Sequence, residues 1–459
     1  MIKALCMLGL VLGYFLQTQR GFSSCPALNT TSYDLWLSEK RKEEVREEFR
    51  FVWSNYVNRA MGFDSIRPVD GLGLNDWGGV NLFMIESLDT MHLMGFHDWF
   101  NEAADFVTAH TDFGRNFTSS VFETTIRLLG GLLSAAEMSR RESLIEKATD
   151  LGYRLVKAFR VNDTFPYPWV NMGLGVYYYS QFLVLSEVTT LSLEFRKLAQ
   201  LTHISHFSRT VSKVETFFLR KLRDKNGILR QHLAIANHDF YGKYTMGGGT
   251  DSFYEYLYKN WILQHRSDPE LRSAYEFTKW ATIEKLMHTS ENGFTYMRAV
   301  EANDEPSSHM EHLACFFPGL LGLENILETY DPYEVELAKK LMEACLEPVR
   351  TAKTNLVPEG SSFFQGKVKP QAEMQSNQLR PEVIESLFYM WRLTHNEYYR
   401  DMGYRIFEAF KQHCKSHFGY SAVEDVNEIP TRHTNDQPSY FTAEVLKYLY
   451  LLFGPVPAT

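Results

Sequence analysis

Three acidic residues stand at positions where a turn leads into a strongly apolar helical run. They are Glu123, Asp251 and Glu382, and arginines lie close to the first and the last of them in the sequence. A pair of carboxyl groups can hydrolyse a glycosidic bond when one protonates the leaving oxygen and the other activates water. In an inverting enzyme the two groups stand roughly 6.5 to 9.5 Å apart. These three residues are therefore candidate catalytic groups for glycoside hydrolysis.

Each position also has an ordinary structural explanation. Ser120 and Glu123 fit a capping box, in which the glutamate reaches back to a backbone N–H. Asp251 suits a helix N-cap. Pro381 suits the first helical position, which places Glu382 in a first turn where the helix dipole favours a negative charge. Spacing alone thus leaves both helix capping and catalysis open.

The elements that must position these residues are helices. From about residue 37 onward the apolar residues recur at helical spacing, and short turns with Gly, Pro or Asn separate the stripes. This pattern predicts an all-α protein of helical hairpins. No fixed-period solenoid motif is found, so a toroidal barrel is favoured. Three stripes illustrate the pattern: Leu144, Ala148, Leu151, Leu155, Val156 and Phe159; Leu337, Leu341 and Cys345; Val445, Leu446, Leu449, Leu452 and Phe453.

Composition restricts the class of protein. The chain has 459 residues, 44% hydrophobic and 22% charged, with a formal charge of −9. It has no long Lys/Arg block and no Ser/Pro/Gly-rich linker. These features predict one large globular domain, residues 37–459, that binds a neutral or small partner and no nucleic acid.

The first 24 residues have the layout of a secretory signal peptide, with Lys3 followed by an apolar run that ends at Phe15. A short signal-anchor is the alternative, and residues 25–36 form an N-terminal segment before the domain. Asn29, Asn116 and Asn162 begin N-glycosylation sequences. Without the leader, four cysteines remain, Cys25, Cys315, Cys345 and Cys414, and their spacing permits three pairings. We expect a protein of the endoplasmic reticulum or Golgi lumen, or a secreted one, that is held at a membrane only if the leader is retained.

Seven ordered blocks between Arg41 and Phe453 make the chain resemble the class I α-1,2-mannosidases, glycoside hydrolase family 47. The blocks are MIESLDTMHLMGF, VFETTIRLLGGLLSA, LSLEFRKLAQLT, TDSFYEYLYKNW, HLACFFPGLLGL, LRPEVIESLFYMW and FTAEVLKYLYLLF. The resemblance implies a monomeric (α/α)7 barrel that removes terminal α-1,2-linked mannose from high-mannose N-glycans with inversion. HLACFFPG favours a processing enzyme of the endoplasmic-reticulum type over the degradation-linked branch.

The resemblance also implies roles for single residues. Glu123 corresponds to the general acid, Glu382 to the general base and Asp251 to the third catalytic carboxylate. Cys315 and Cys345 match the disulfide of the processing enzymes. The positions that line the family's sugar pocket are Arg127, His312, Arg380, Glu385 and Glu444.

The family's calcium cofactor is the point at which the sequence departs from the pattern. The family holds one Ca²⁺ through a threonine in a Thr-Glu-Ala-His segment, and no such segment occurs up to Thr459. We therefore assign no metal-binding residue and expect Ca²⁺ only from the resemblance. The alternative function is a weakly active or inactive glycan-binding relative. Gly249 stands where the endoplasmic-reticulum enzymes carry a branch-selecting arginine, which leaves the preferred mannose branch open.

Overall fold

The computed structural model describes residues 32–159 and 164–454. In this part of the chain seven inner helices form a ring, and seven outer helices surround it. The inner helices are α2 (Leu82–Leu93), α5 (Gly130–Ser139), α8 (Ser192–Thr202), α10 (Asp251–Leu263), α12 (Phe317–Leu327), α14 (Glu382–Thr394) and α16 (Leu446–Phe453). The outer helices are α1 (Ser32–Ala60), α3 (His97–His110), α6 (Glu142–Val156), α9 (Ser205–Asp224), α11 (Pro269–Leu286), α13 (Pro332–Thr351) and α15 (Glu397–His413).

Short helical segments lead into four of the inner helices. The helix α4 (Val121–Thr124) and a π-helical turn, Thr125–Leu129, precede α5, and α7 (Leu185–Thr189) precedes α8. A 3-10 turn, His312–Phe316, precedes α12, and a second π-helical turn, Phe441–Val445, precedes α16. The second π-helical turn packs against α2, so the last inner helix closes the ring onto the first. The predicted toroidal barrel of helical hairpins is confirmed.

Burial distinguishes the two rings. Every residue of α10 from Asp251 to Ile262 is buried, because this helix is enclosed on all sides. The outer helix α6 buries Leu144, Ala148, Leu151 and Leu155 and exposes its other face, as expected for an amphipathic surface helix. The apolar stripes of the sequence therefore correspond to helices of both rings, for example the outer helix α6 and the inner helix α16.

Five small antiparallel sheets accompany the helices in residues 32–159 and 164–454, and the all-α prediction did not include them. Their thirteen strands are β1 (Ser65–Ile66), β2 (Gly73–Leu74), β3 (Thr118–Ser120), β4 (Trp169–Asn171), β5 (Tyr177–Tyr178), β6 (Phe182–Val184), β7 (His232–Ala234), β8 (Phe240–Tyr241), β9 (Met287–Thr289), β10 (Thr295–Met297), β11 (His309–Glu311), β12 (Gly360–Phe364) and β13 (Lys367–Pro370). Their orders are β1-β2, β3-β4-β5, β6-β7-β8, β9-β10 and β11-β12-β13. Strands of two to five residues are too short to show a clear alternation of apolar and polar residues, so the sequence did not reveal them.

The strands matter because several lie beside the candidate residues. Strand β3 ends at Ser120, directly before the helix that carries Glu123. Strand β11 ends directly before His312, and β12 begins next to Glu359 in the sequence. The sheets therefore support the loops from which the candidate side chains emerge.

The cysteines in the described part of the chain fall into one pair and one thiol. Cys315 and Cys345 form a disulfide, the pair that the family resemblance implies. Cys414 is a buried free thiol, and Cys25 lies outside the described residues. Among the helices of residues 32–159 and 164–454, we find none with the length and apolarity needed to cross a membrane.

Candidate active site

Glu123 lies in the short helix α4, which leads into the inner helix α5, and Ser120 is the N-cap of α4. The Glu123 backbone N–H donates to Ser120 Oγ over 3.2 Å, which is one half of the capping box. The carboxylate does not supply the other half, since Glu123 Oε2 is buried and accepts no hydrogen bond from the described residues. Arg127 Nη1 lies 3.9 Å from Oε2. Burial raises the pKa of Glu123, and Arg127 only partly offsets this rise. The side chain is therefore suited to carry a proton and to donate it.

Arg127, in the π-helical turn between α4 and α5, contacts the first inner helix, α2. Its Nε and Nη2 donate to the two oxygens of Glu86, at 2.8 and 3.1 Å, and its guanidinium lies over the Trp77 ring at 4.6 Å. The short distance between the helices depends on Gly131, where an added Cβ would lie 3.1 Å from the backbone oxygen of Ile85. Gly131 therefore allows α5 and α2 to pack closely.

Glu382 is the first residue of α14, with Pro381 at the preceding N-cap position. Its exposed fraction is 0%, and neither carboxylate oxygen accepts a hydrogen bond from the described residues. His312 Nε2 lies 3.6 Å from Glu382 Oε2. Burying a charged group without partners costs several kcal/mol, so an arrangement of this kind indicates that a ligand or water completes the site.

Arg380 stands two residues before Glu382 and is held in place by Glu359. Its Nε donates to Glu359 Oε2 over 2.5 Å. The charges of Tyr440, Glu359 and Glu382 raise the pKa of Arg380 further, although burial acts against its charge. Arg380 therefore provides a fixed positive charge close to Glu382.

Glu385, one turn after Glu382, connects α14 to α10. Lys259 Nζ lies 3.7 Å from Glu385 Oε1 and also donates to Glu255. Lys259 is 3% exposed, and the surrounding carboxylates raise its pKa despite its burial. Lys259 is therefore a cation that balances the negative charges of the buried Glu255 and Glu385.

Asp251 is the first residue of α10 and is 2% exposed. The N-cap prediction is wrong by one position, because Thr250 occupies the N-cap. The carboxylate still serves the first turn, since Asp251 Oδ1 accepts the Ser252 N–H over 2.9 Å. The preceding Gly249 has φ +89°, and a Cβ there would lie 2.7 Å from Gln231 Cγ, so this close turn favours glycine.

Glu444 lies in the π-helical turn before α16, and Arg127 lies in the π-helical turn before α5. Such turns are rare and are frequent at functional sites. Burial and the charges of Glu382 and Glu385 raise the pKa of Glu444 well above its usual value. Glu444 Oε1 is buried and accepts no hydrogen bond from the described residues. Burial and the neighbouring carboxylates therefore favour the neutral form of this carboxyl group, which can donate a hydrogen bond.

The structure thus brings most of the candidates into one electrostatic cluster. Glu123 is influenced by Arg127, Glu86 and Arg380, while Glu444 is influenced by Glu382, Glu385 and Glu86. Asp251 is connected to the cluster through α10, whose Lys259 reaches Glu385. Several carboxyl groups and positive charges therefore lie in one cluster, and a pair of carboxyl groups is what glycoside hydrolysis uses.

The sequence analysis missed several residues of this cluster, among them Glu86 and Ser439. Glu86 is 0% exposed and binds Arg127. Ser439 accepts from Arg127 Nη2 over 2.5 Å and donates to Glu86. A signal existed for Glu86, because it is the only charged residue in the apolar run LFMIESL that opens α2. Ser439 carried no comparable signal.

The residues of this site do not by themselves form a calcium cage. Within residues 32–159 and 164–454, no group of three or more His, Cys, Asp or Glu side chains is arranged to hold a metal ion. Calcium takes six to eight oxygen ligands. The described side chains supply too few of these, and we derive no chemical step through the ion.

Comparison with known proteins identifies the class to which this barrel belongs. Residues 48–457 match glycosyl hydrolase family 47, and the chain belongs to that family. Among solved structures it is similar to an α-1,2-mannosidase from Trichoderma reesei, with a TM-score of 0.84 and 25% identity. That match covers 91% of this chain and 94% of the other.

Two curated relatives illustrate the closeness in sequence. The chain is 34% identical over 433 residues to the human endoplasmic reticulum mannosyl-oligosaccharide 1,2-alpha-mannosidase. This match covers 91% of this chain and 61% of the human protein. It is also 34% identical over 431 residues to mannosyl-oligosaccharide 1,2-alpha-mannosidase MNS1 of Arabidopsis thaliana, covering 91% and 76%. The chain thus spans less than two thirds of the length of the human relative.

Proposed function

We propose that this protein hydrolyses terminal α-1,2-linked mannose from high-mannose N-glycans, with inversion at the anomeric carbon. The observation that carries the proposal is Glu382, a fully buried carboxylate whose two oxygens accept no hydrogen bond from the described residues. Its position at a helix N-terminus beside Arg380 suits a negative charge. Membership of glycosyl hydrolase family 47 and the names of the relatives support the substrate.

In this mechanism Glu123 is the general acid. Burial raises the pKa of Glu123, which favours the protonated carboxyl group, and this group delivers the proton to the departing glycosidic oxygen, through a water as in the family. Arg127, held by Glu86 and Trp77, orients that carboxyl group and becomes its counter-ion after the proton has left. The departing sugar leaves as a neutral alcohol.

Glu382 is the general base. It removes a proton from the water that attacks the anomeric carbon on the face opposite the leaving oxygen. His312, 3.6 Å away, and the charge of Arg380 hold the carboxylate in position. Asp251 is the third catalytic carboxylate of the proposal, and its buried position at the start of α10 supports this role.

The remaining candidates bind the sugar. Glu444, whose raised pKa favours the protonated form, donates a hydrogen bond to a mannose hydroxyl, and Glu385, balanced by Lys259, accepts one. Arg127, His312 and Arg380 complete the polar lining of the pocket. A pocket with donors and acceptors in fixed positions is what recognition of hydroxyl groups requires.

The proposal includes a requirement for Ca²⁺, which is supported by the family alone. When bound, the ion would help to hold the sugar hydroxyls and the attacking water. The expected result is that a chelator abolishes mannose release and that added Ca²⁺ restores it. Turnover unchanged by the chelator would contradict the calcium requirement and leave the roles of the carboxyl groups intact.

The proposed setting is the lumen of the early secretory pathway, with the protein acting as a monomer. The relatives named for the endoplasmic reticulum and the disulfide between Cys315 and Cys345 support this setting. Asn116 is exposed at a sequence for N-glycosylation, so it is accessible to modification. Asn29 and Asn162 lie outside the described residues, and their glycosylation stays a prediction.

The decisive experiment measures mannose release from a nine-mannose glycan by the unaltered chain and by Glu382→Gln. Loss of a general base lowers the rate by about 10²–10⁴-fold. Glu142→Gln is the matched control, because Glu142 is an exposed glutamate at the first position of α6, and full activity is expected. Glycan binding without mannose release by the unaltered chain would favour the inactive, glycan-binding alternative.

A further inference from the structure

Large apolar side chains are exposed in unusual number between residues 169 and 182. Of the twenty large hydrophobic residues that are exposed in the described chain, six fall in this stretch of fourteen residues. They are Trp169 (50% exposed), Leu174, Val176, Tyr178 (48%), Tyr179 and Phe182. Exposed apolar patches of this kind mark binding surfaces more often than scattered single residues do.

The stretch contains the strands β4 and β5, which form a sheet with β3 beside the candidate active site. Ser120 pairs with Trp169, and Trp169 pairs with Tyr178. Directly opposed residues in antiparallel strands project from the same face, with Cβ atoms about 4.5–5.5 Å apart. Ser120, Trp169 and Tyr178 therefore form one row across the sheet.

This row starts at the catalytic helix. Ser120 Oγ accepts the N–H of Glu123, and Pro168 O accepts the N–H of Val121. The backbone of β4 is thereby attached to the first turn that carries the proposed general acid. We call Trp169 and Tyr178 the aromatic row, because their exposed rings continue from Ser120 away from Glu123.

The two faces of this sheet differ in the way expected for a binding surface. The face with Ser119 and Val170 is buried, which anchors the sheet to the barrel. The opposite face carries polar groups beside the rings, since Thr118 Oγ1 donates to the Tyr178 hydroxyl over 3.3 Å, and the exposed Asn116 accepts at Oδ1 from Nδ2 of the buried Asn171 over 2.8 Å. The solvent face of an antiparallel sheet is normally polar throughout.

We propose that the aromatic row is a second carbohydrate subsite, which binds mannose rings of the glycan at a distance from the cleaved bond. A pyranose ring has an apolar C–H face and a rim of hydroxyls, which matches flat aromatic rings flanked by hydroxyl and amide groups. The aromatic row is continuous with Ser120, which caps the helix of Glu123. This continuity favours the glycan that is cleaved at the active site as the occupant, over an unrelated partner. This inference rests on the proposed function, because the subsite would extend the binding of that substrate.

The test compares a large and a small ligand on the full chain. In the Glu382→Gln background, Trp169→Ala combined with Tyr178→Ala should weaken binding of a nine-mannose glycan by about three- to tenfold, since both exposed rings that contact the sugar are lost. Binding of α-1,2-mannobiose, which fills only the sites at the cleaved bond, should not change. Calorimetry measures both affinities without turnover.

Two variants control for structural effects. Trp169→Phe keeps a ring and should retain most of the affinity for the nine-mannose glycan. Tyr330→Ala removes an aromatic residue of equal exposure, 48%, from the turn between α12 and α13, and it should change neither affinity.

The outcomes separate this inference from the proposed function. An unchanged affinity for the nine-mannose glycan, or an equal loss for both ligands, overturns the aromatic row as a subsite. Failure of the otherwise unaltered Glu382→Gln protein to bind either ligand overturns both proposals. Normal mannose release by the unaltered chain, with affinities that the double substitution does not change, overturns the subsite alone.

Discussion

Two groups of glutamates with buried carboxyl oxygens differ in how those oxygens are satisfied. Between α11, α12 and α13, Glu324 accepts from Arg272, Tyr275 and Lys279. Glu334 in the same group accepts from Lys279 and Asn325. At the entrances of the inner helices, by contrast, both oxygens of Glu382 and one oxygen each of Glu123 and Glu444 accept nothing from the described residues.

The contrast shows where the chain leaves room for a ligand. A buried carboxylate surrounded by donors is part of the scaffold, because removing one partner leaves an uncompensated charge. A buried carboxylate without donors is costly in the free protein unless water or a ligand completes it. The second group therefore has a functional explanation, whereas the first has a structural one.

The largest expected effect comes from the group without donors. Glu123→Gln keeps the shape of the side chain but cannot donate a proton, so kcat/KM for mannose release should fall by about 10²–10⁴-fold. The thermal midpoint should stay nearly constant, since Glu123 Oε2 has no hydrogen bond to lose. A large fall in the midpoint together with a small fall in rate would place Glu123 in the scaffold.

The converse experiment removes Lys279, the cation that donates to both Glu324 and Glu334 in the group whose oxygens have donors. Lys279→Met leaves Glu324 and Glu334 without their shared donor and should lower the free energy of unfolding by about 3–5 kcal/mol. Activity per folded molecule should not change. Urea unfolding measures the loss, and Lys285→Met, at an exposed position of the same helix, should have little effect. A stable but inactive Lys279→Met protein would contradict the assignment.

Glu194 is an intermediate case, because Tyr256 donates to its Oε1 over 2.7 Å while Oε2 has no hydrogen-bond partner among the described residues. Burial raises the pKa of Glu194 from 4.5 to about 8. Its contribution to stability is therefore fully present below the unfolded-state pKa and is lost as the pH rises to about 8. This loss is on the order of a few kcal/mol.

Glu194→Gln should remove this pH dependence. The difference in free energy of unfolding between the variant and the unaltered chain should grow in favour of the variant from about pH 5 to about pH 8, measured by urea unfolding. A difference that stays constant over this range would show that Glu194 ionises as readily in the folded protein as in the unfolded one.

The smallest effect concerns the distance between the inner helices α5 and α2. Gly131→Ala places a Cβ 3.1 Å from Ile85 O and should separate these helices slightly, at a cost of about 1 kcal/mol. Because Arg127 spans the same interface to reach Glu86, a several-fold loss of kcat/KM should accompany it. Gly322→Ala is the control, since its Cβ has only ordinary contact with Tyr389 at 3.4 Å. Equal effects of the two substitutions would contradict this role for Gly131.

Much of the fold could be predicted from the sequence, because helix formation is largely local. The stripe of Leu144, Ala148, Leu151 and Leu155 identified α6, and the turn residues before Glu382 placed this glutamate in a first helical turn. The short strands could not be predicted in this way. Pairing of β11 with β12 joins His309 to Ser362, and such distant partners leave no local pattern.

The sequence by itself determined which side chains stand at the entrances of the inner helices, since periodicity and turn chemistry are properties of neighbouring residues. Only the tertiary structure decided which of these carboxylates meet donors. Glu86 and Arg127 are 41 residues apart in the chain and are paired, whereas Glu382 is enclosed without a hydrogen-bond partner among the described residues. The physical reason is that desolvation and pairing of a charge depend on every element packed around it.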